Sequence, residues 1–376
     1  MAVKLTNFVR LVINHHFQLR TSGDYTTAAL IHYNPTQSDP TMNIVLSDVP
    51  SFTDDTLYLK GIQTYITKFF DNGGRNLHII SINDLTLASA QLETLPMEEL
   101  VVGFVNDTSD GVTPATEEDF RAIALAWNTA NQNEKIYQKI FVAELPYSNG
   151  VNDITGYATN GADIENYAIK YGANGIGAAV LAYYTALEIN STDSARDYSF
   201  TTENYSASSE DHFVFDDNAI VEAVMANNLN ADTKLVGKVK VVGGNDTAGY
   251  DLTNQYMLLV LHQAVTKAVM QVITSKVKYN ETGLALVYNA IVNELERFVS
   301  NGYLTTNKAW NYPDLYYNSY KIITNGTALV NGYKVTILPF ESLTDEQRAA
   351  HQLPNIYILI ADSYSIRKVV IEGEVF

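Results

Sequence analysis

The chain of 376 residues contains no cysteine. Disulfides, thiolate metal sites and thiol chemistry are therefore excluded, and the fold is indifferent to redox compartment. Basic residues are also scarce: 24 Lys and Arg stand against 42 Asp and Glu, a formal charge of −18. Broad nucleic-acid binding needs phosphate-neutralising cations, so that class is set aside. No uninterrupted apolar run reaches membrane-spanning length, and residues 1–20 lack the basic, apolar, small-residue order of a secretion signal. The expectation is a protein without membrane insertion that starts in a cytoplasm.

Catalytic and metal-binding signatures are missing as well. The histidines at 15, 16, 32, 78, 212, 262 and 351 are scattered, with no HExxH and no pair at helical i,i+4 spacing. His78, within an apolar strand pattern, and His262, within an apolar helix pattern, read as core or interface residues. The acidic stretch 209–217, with Asp211, Asp216 and Asp217, lacks the regular alternation of an EF-hand and reads as a solvated loop. Gly172-Ala-Asn-Gly-Ile-Gly177 has the order GxxGxG, reads as lying inside or beside a helix, and is followed by no GK[ST]. Helix breaking or close packing explains it better than nucleotide binding. No GxSxG elbow or spaced carboxylate pair appears. No catalytic, cofactor-binding or metal-binding residue is assigned, and no cofactor is expected.

What is present is a long α/β alternation. Strand patterns at 27–32, 43–46, 77–82, 100–105 and 140–145 are separated by helical patterns. One helix starts at Thr53 with Asp54 and Asp55 in its first turn; its buried stripe is Leu59, Ile62, Tyr65, Ile66, Phe69 and Phe70, and Gly73-Gly74 ends it. Further helices are expected near 87–95 and over 115–131. Such alternation implies a mostly parallel, doubly wound sheet. Residues 146–160 read as turn-rich and 162–187 as a helix broken at 172–177. Between 190 and 252 the composition shifts to Ser, Thr, Asp and Asn, with a strand near 235–242 and a helix near 219–227. Two strong helices follow, 253–274 and 282–300, the second closed by Gly302. A hairpin at Asn331-Gly332 is expected to join strands near 317–323 and 333–339.

The chain ends carry strand patterns. Residues 3–13 place Leu5, Val9, Leu11 and Ile13 on one face, before a soft stretch around Ser22-Gly23. Near the other end, 356–360 and 366–375 are strand patterns joined by a polar hinge, 361–365. Val369, Ile371 and Val375 share one face of the last segment, and Arg367 and Lys368 supply positive charge. A terminal strand can return to its own sheet or complete a neighbour's. Burying three aliphatic side chains contributes roughly 1.5–3 kcal/mol each. Ordering about eight residues costs roughly 1–2 kcal/mol apiece, so a single exchanged arm holds weakly. Many exchanged at once hold well, because each further contact is then intramolecular. The division expected is an arm at 1–20, an α/β domain at 21–189, a variable insertion at 190–252, a helical and β domain at 253–365, and an arm at 366–376.

Four stretches carry a resemblance. Residues 65–80 (YITKFFDNGGRNLHII), the opening AVKLTNFVRLVIN, the stretch KYNETGLALVYNAIVNELERFVSNGYL within 261–304, and the ending IRKVVIEGEVF resemble bacteriophage contractile tail sheath proteins. Residues 190–250 match nothing in that pattern. The resemblance implies a homo-oligomeric, non-enzymatic subunit of a phage tail that polymerises around an inner tube protein. Arms add strands to neighbours' sheets, and the lattice contracts on a signal from the baseplate, driving the tube through the host envelope. On that reading Phe8, Val9, Leu11, Ile13, Val369, Ile371 and Val375 are strand contacts and Arg367 and Lys368 electrostatic ones. The alternatives are a tail terminator or baseplate ring component, which closes into a ring, and a nucleotide- or metal-dependent enzyme of doubly wound fold.

Overall fold

The structure, a computed structural model, describes residues 25–36, 41–46, 61–107, 114–132, 137–160, 164–189, 191, 197–203, 213–235, 237–275 and 277–363. Strands β1 (Thr27–Tyr33), β2 (Thr41–Leu46), β3 (Asn76–Ile82), β4 (Val101–Asn106), β5 (Ile140–Pro146) and β6 (Tyr167–Gly172) form one sheet in the order β2-β3-β1-β4-β5-β6. All neighbours are parallel except β2, which runs antiparallel to β3. Alternate residues feed two cores. Ala28, Leu30, Leu77, Ile79, Ile140 and Val142 face one layer, whereas Ala29, Ile31, Ile80, Ile82, Phe141 and Ala143 face the other. Burial on both faces explains why these strands read as apolar runs rather than alternations.

Helices α1 (Gln63–Asp71) and α5 (Ala178–Ala186) cover the first face, with α7 (Leu252–Thr274) and α8 (Glu281–Ser300) in the same core. Helices α2 (Ala88–Leu92), α3 (Glu117–Ala130), α4 (Val151–Asn160) and α6 (Asn218–Ala226) contribute to the second. The fold is thus α/β and doubly wound, as expected. In α1 the buried stripe is Tyr65, Ile66 and Phe69, and Ile62 stands at its N-cap without a side-chain hydrogen bond. The N-cap expected at Thr53 lies outside the described residues. Gly73 (φ +87°) takes the left-handed position; its N–H donates to the Phe70 carbonyl and that of Gly74 to the Phe69 carbonyl, closing the helix end. Gly74 does not take a positive φ. It is needed for space, since a Cβ there would sit 2.4 Å from the Phe69 ring.

Two expectations fail between 146 and 187. Residues 151–160 are helix α4, not turns, and 167–172 are strand β6, not helix. Beyond β6, Asn230 bridges Lys170 in parallel, so the chain entering β7 (Ala231–Leu235) lies against the sheet edge. Strand β8 (Lys238–Val242) pairs with β7 as an antiparallel hairpin, and Phe215, Leu229, Ala231 and Val242 join the second core.

Helix α7 is apolar and long enough to cross a membrane, yet it is largely buried within the protein, with Leu258, Leu261 and Val265 among its side chains packed in the first core. Its N-terminus is capped by the Asp251 carboxylate. Helix α8 is capped by Asn280, which accepts from the Gly283 N–H, and lays Val287, Ile291, Leu295 and Phe298 into the α7 core. The last lobe contains β9 (Lys308–Ala309), β10 (Leu315–Tyr317), β11 (Tyr320–Ile323), β12 (Ala328–Leu329), β13 (Tyr333–Ile337), the short α9 (Asp345–Ala349) and β14 (Ile356–Ile360). The Asn331-Gly332 turn does not make the expected hairpin. β11 pairs with β10, β12 with β9, and β13 with β14, so the last strand outcompetes the nearer one.

Candidate assembly interface

The end of α8 fixes the place from which the last residues leave the body. Gly302 (φ +80°) closes the helix: its N–H donates to the Val299 carbonyl, and that of Tyr303 to the Phe298 carbonyl. This is the same motif that ends α1, and the Tyr303 and Phe298 rings pack together at 5.7 Å. The turn aims residues 303–305 along 361–363. Leu304 bridges Asp362 antiparallel, the Thr305 N–H donates to the Ala361 carbonyl at 2.8 Å, and the Ser363 N–H to the Tyr303 carbonyl at 3.1 Å. From the other side the Ala361 N–H reaches the Gly332 carbonyl at 2.7 Å. The buried Asp362 carboxylate pairs with Lys308 Nζ at 2.7 Å. Residues 361–363, expected to be a soft hinge, are therefore held, because a small Ala fits the packed strand and the Asp finds a cation.

Just before this clamp, β13 and β14 form an antiparallel pair from Tyr333↔Ile360 to Ile337↔Ile356. Ile358, Ile360 and Tyr333 pack into the α7–α8 core, whereas Tyr357, Leu359 and Leu338 pack with Trp310 and Ile322 on the opposite side. β14 is buried on both faces and β13 is half-buried, and the pair remains two-stranded among the described residues. The Leu338 N–H donates to Asn355 and that of Ala361 to Gly332. Antiparallel ladders alternate, so the even-numbered residues of β13 bond β14, and Tyr333, Val335 and Ile337 turn their N–H and C=O outward. Val335 and Ile337 are half-buried, and no described strand pairs with that edge.

The sequence-nominated contacts Phe8, Val9, Leu11, Ile13, Arg367, Lys368, Val369, Ile371 and Val375 all lie outside the described residues, as does Ser22-Gly23. What the sequence did not single out is the β13 edge. Its alternation, Tyr333, Val335 and Ile337 against Lys334 and Thr336, was visible, but its pairing with β14 was not.

The remaining polar clusters are enclosed. Gly172–Gly177 runs from the last residue of β6 to the N-cap of α5, so it lies beside a helix, as one of the two expected placements had it, but also directly after a strand. The Gly175 and Gly177 N–H groups donate to the Glu144 carboxylate at 3.0 and 2.8 Å, so the chain's own anion fills this nest. Burial pushes Glu144 up to about 7. At the switch point between β1 and β4, His32 Nδ1 lies 2.8 Å from Ser81 Oγ and Nε2 lies 3.0 Å from Asp107 Oδ2. All three residues are buried, and burial lowers the imidazole's pKa despite the pull of Asp107. A Ser–His–Asp set sealed in this way ties three strands and offers no exposed nucleophile. His78 is buried with Nδ1 2.8 Å from Glu99, and His262 is buried in α7. Asp217, from the acidic stretch 209–217, caps α6 by accepting from the Ala219 N–H at 2.9 Å. No group of three or more His, Asp or Glu suited to a metal occurs among the described residues.

With this geometry in view, comparison with solved structures defines the class. A chain of the PVC sheath complex of an extracellular contractile injection system, in the contracted state, superposes with a TM-score of 0.63 at 13% identity, covering 98% of this chain and 96% of its own. A chain of the contracted anti-feeding prophage baseplate gives 0.57 at 11% identity, covering 100% and 98%. The sheath tail protein of Desulfitobacterium hafniense aligns more loosely, at a TM-score of 0.48 and 9% identity over 80% of this chain and 91% of its own. No curated protein sequence matches the chain. The fold is that of contractile sheath proteins. Residues 253–375, which include α7, α8 and the β13–β14 pair, match the family of the E217 tail sheath protein gp31-like C-terminal domain.

Proposed function

We propose that the chain is the structural subunit of a contractile sheath, polymerising around an inner tube by exchange of its terminal strands and shortening to drive that tube through a host envelope. The observation that carries this reading is the β13 edge: a strand paired with β14 and packed on the first core through Tyr333 and Val335, whose outward N–H and C=O groups meet no strand among the described residues. Exposed edges invite pairing unless they are covered. Residues 3–13 and 366–375 have the alternation to cover it, and strand addition supplies main-chain affinity while alternate side chains supply register. The sheath-like fold supports the assembly, and the acidic charge argues against direct nucleic-acid contact. The subunit needs no catalytic step, since contraction releases energy held in the extended lattice. The protein belongs in a phage tail or a related contractile particle, with inner-tube, baseplate and terminator proteins as partners.

The test is truncation. Removing residues 366–376 leaves the clamp at 361–363 intact, so the expected product is a folded subunit that forms no tubes at concentrations where the full chain does. Normal tubes in electron micrographs of the truncated protein would remove this arm from the mechanism. The likeness to the anti-feeding prophage baseplate chain favours a second reading, a component that closes into one ring. Negative-stain images at rising concentration separate the two, with tubes of variable length for a sheath and rings of fixed size for the alternative.

A further inference from the structure

We propose that Lys170 and Asp232 are joined by an intramolecular isopeptide bond, formed spontaneously with Glu203 relaying the protons. The two side chains come from parallel neighbours, β6 and the strand that bridges it at Asn230. Lys170 Nζ lies 2.9 Å from Asp232 Oδ2, and both side chains are 0% exposed. Glu203, 5% exposed, pairs with Lys170 Nζ through Oε2, while its Oε1 accepts from the Tyr198 hydroxyl at 2.5 Å. Lys170 Nζ also donates to the Tyr198 hydroxyl at 3.0 Å, and the cation rests 5.6 Å from the centre of that ring. A further ionisable group, Glu144 on β5, sits opposite Lys170 in strand register.

The roles of the two acids differ by their surroundings. Glu203 is held by two donors and suits a proton carrier. Asp232 faces both Lys170 and Glu203 from a fully buried position. Burial and the neighbouring Glu203 charge raise the Asp232 carboxyl toward its neutral, electrophilic form, while the paired acids outweigh burial and raise Lys170, so that Glu203 must take the ammonium's proton before attack. A lone ion pair buried this deeply stabilises poorly, because desolvation offsets the attraction. An amide removes both charges.

The chemistry balances without any co-reactant. The Lys170 ammonium passes one proton to the Glu203 carboxylate, and the freed amine attacks Cγ of the neutral Asp232 carboxyl. Glu203 then takes a proton from the nitrogen as it returns one to the departing hydroxyl. The C–O bond breaks, the C–N bond forms, and one water leaves. Nothing is oxidised or reduced. Holding the amine against the carboxyl in a site closed to solvent supplies the proximity that drives such a step, for which effective molarities reach about 10⁵–10⁸ M, and shields the product from hydrolysis. The bond would clip the β7–β8 hairpin to the edge of the main sheet, whether or not the chain builds a sheath.

Intact-mass spectrometry of the full chain under denaturing conditions tests this without any variant. The expected mass is one water below that of the sequence, and a protease digest should yield a branched peptide joining residues 170 and 232. Glu203→Gln and Lys170→Arg should each restore the full mass. A full-mass wild-type chain overturns the proposal. So does a one-water deficit with no branched peptide, as an aspartyl succinimide would give, or a branch at Glu203 in place of Asp232.

Discussion

Glu144 shows how one side chain can decide what a loop is for. The Gly175 and Gly177 N–H groups converge as they would on a phosphate, and the carboxylate from the adjacent strand takes that place. Desolvation outweighs both hydrogen bonds, so the folded pKa rises from 4.5 to about 7. The sign follows from linkage: the folded state holds this proton more tightly than the unfolded one, so its contribution is full below pH 4.5 and is lost as pH rises through 7. The loss is on the order of 3 kcal/mol. Melting temperature measured from pH 5 to 8 should therefore fall for the wild type, and Glu144→Gln should flatten that slope by Glu144's share. Asp246, raised to about 7 by burial, adds a slope of the same sign that the variant keeps. Identical pH profiles for the two proteins would mean the carboxylate is solvated and the nest open. In the sequence the six residues from Gly172 stood out, but their partner did not. Glu144 lies 31 residues upstream of Gly175, and only the register of β5 against β6 brings it there. Lys170, Glu203 and Asp232 were hidden for the same reason, since a segment read as helix gives no hint of its strand neighbours.

Elements were legible where one signal dominated. The first five strands of the central sheet announced themselves as short apolar runs, and α7 and α8 by their length and spacing. The ends of α1 and α8 carried their stop signals in Asn72-Gly73 and Asn301-Gly302. Strand β6, YAIKYG, is buried at every position and shows no alternation, so it read as the first part of a helix over 162–187 broken at 172–177. Helix α4, VNDITGYATN, is rich in residues that prefer turns, and it forms because tertiary packing buries Ile154 in the second core. Pairing was the least visible property, and β13 finds β14 across an intervening segment that holds α9. This geometry permits a clean substitution. Proline at Val335 removes an outward N–H and leaves the even-numbered ladder to β14 intact. Val335→Pro should retain a cooperative melt, with a loss of no more than about 1–3 kcal/mol, yet fail to assemble. Assembly at the wild-type concentration would show that the β13 edge is not where a neighbour's strand adds.

At the scale of the whole molecule, like charge opposes the association that the edge invites. Each subunit carries a formal −18, so copies brought together repel unless solvent ions intervene. On the proposed reading, the opposite-charge contacts that Arg367 and Lys368 would make in a terminal arm stand against this. Repulsion acts over the Debye length, about 10 Å at 0.1 M salt and about 3 Å at 1 M. Strand pairing and apolar burial act at contact and are little screened. Raising sodium chloride from 0.05 to 1 M, taken as roughly the range over which that screening length collapses, should therefore lower the concentration at which tubes appear by light scattering. Sulfate should lower it further by favouring burial. If salt dissolved the tubes, the arms' charge pairs would be the main attraction, and Arg367→Ala with Lys368→Ala would then abolish assembly at every ionic strength. If salt promotes assembly, the same double substitution should shift the threshold only modestly and leave the β-strand contacts to hold the lattice.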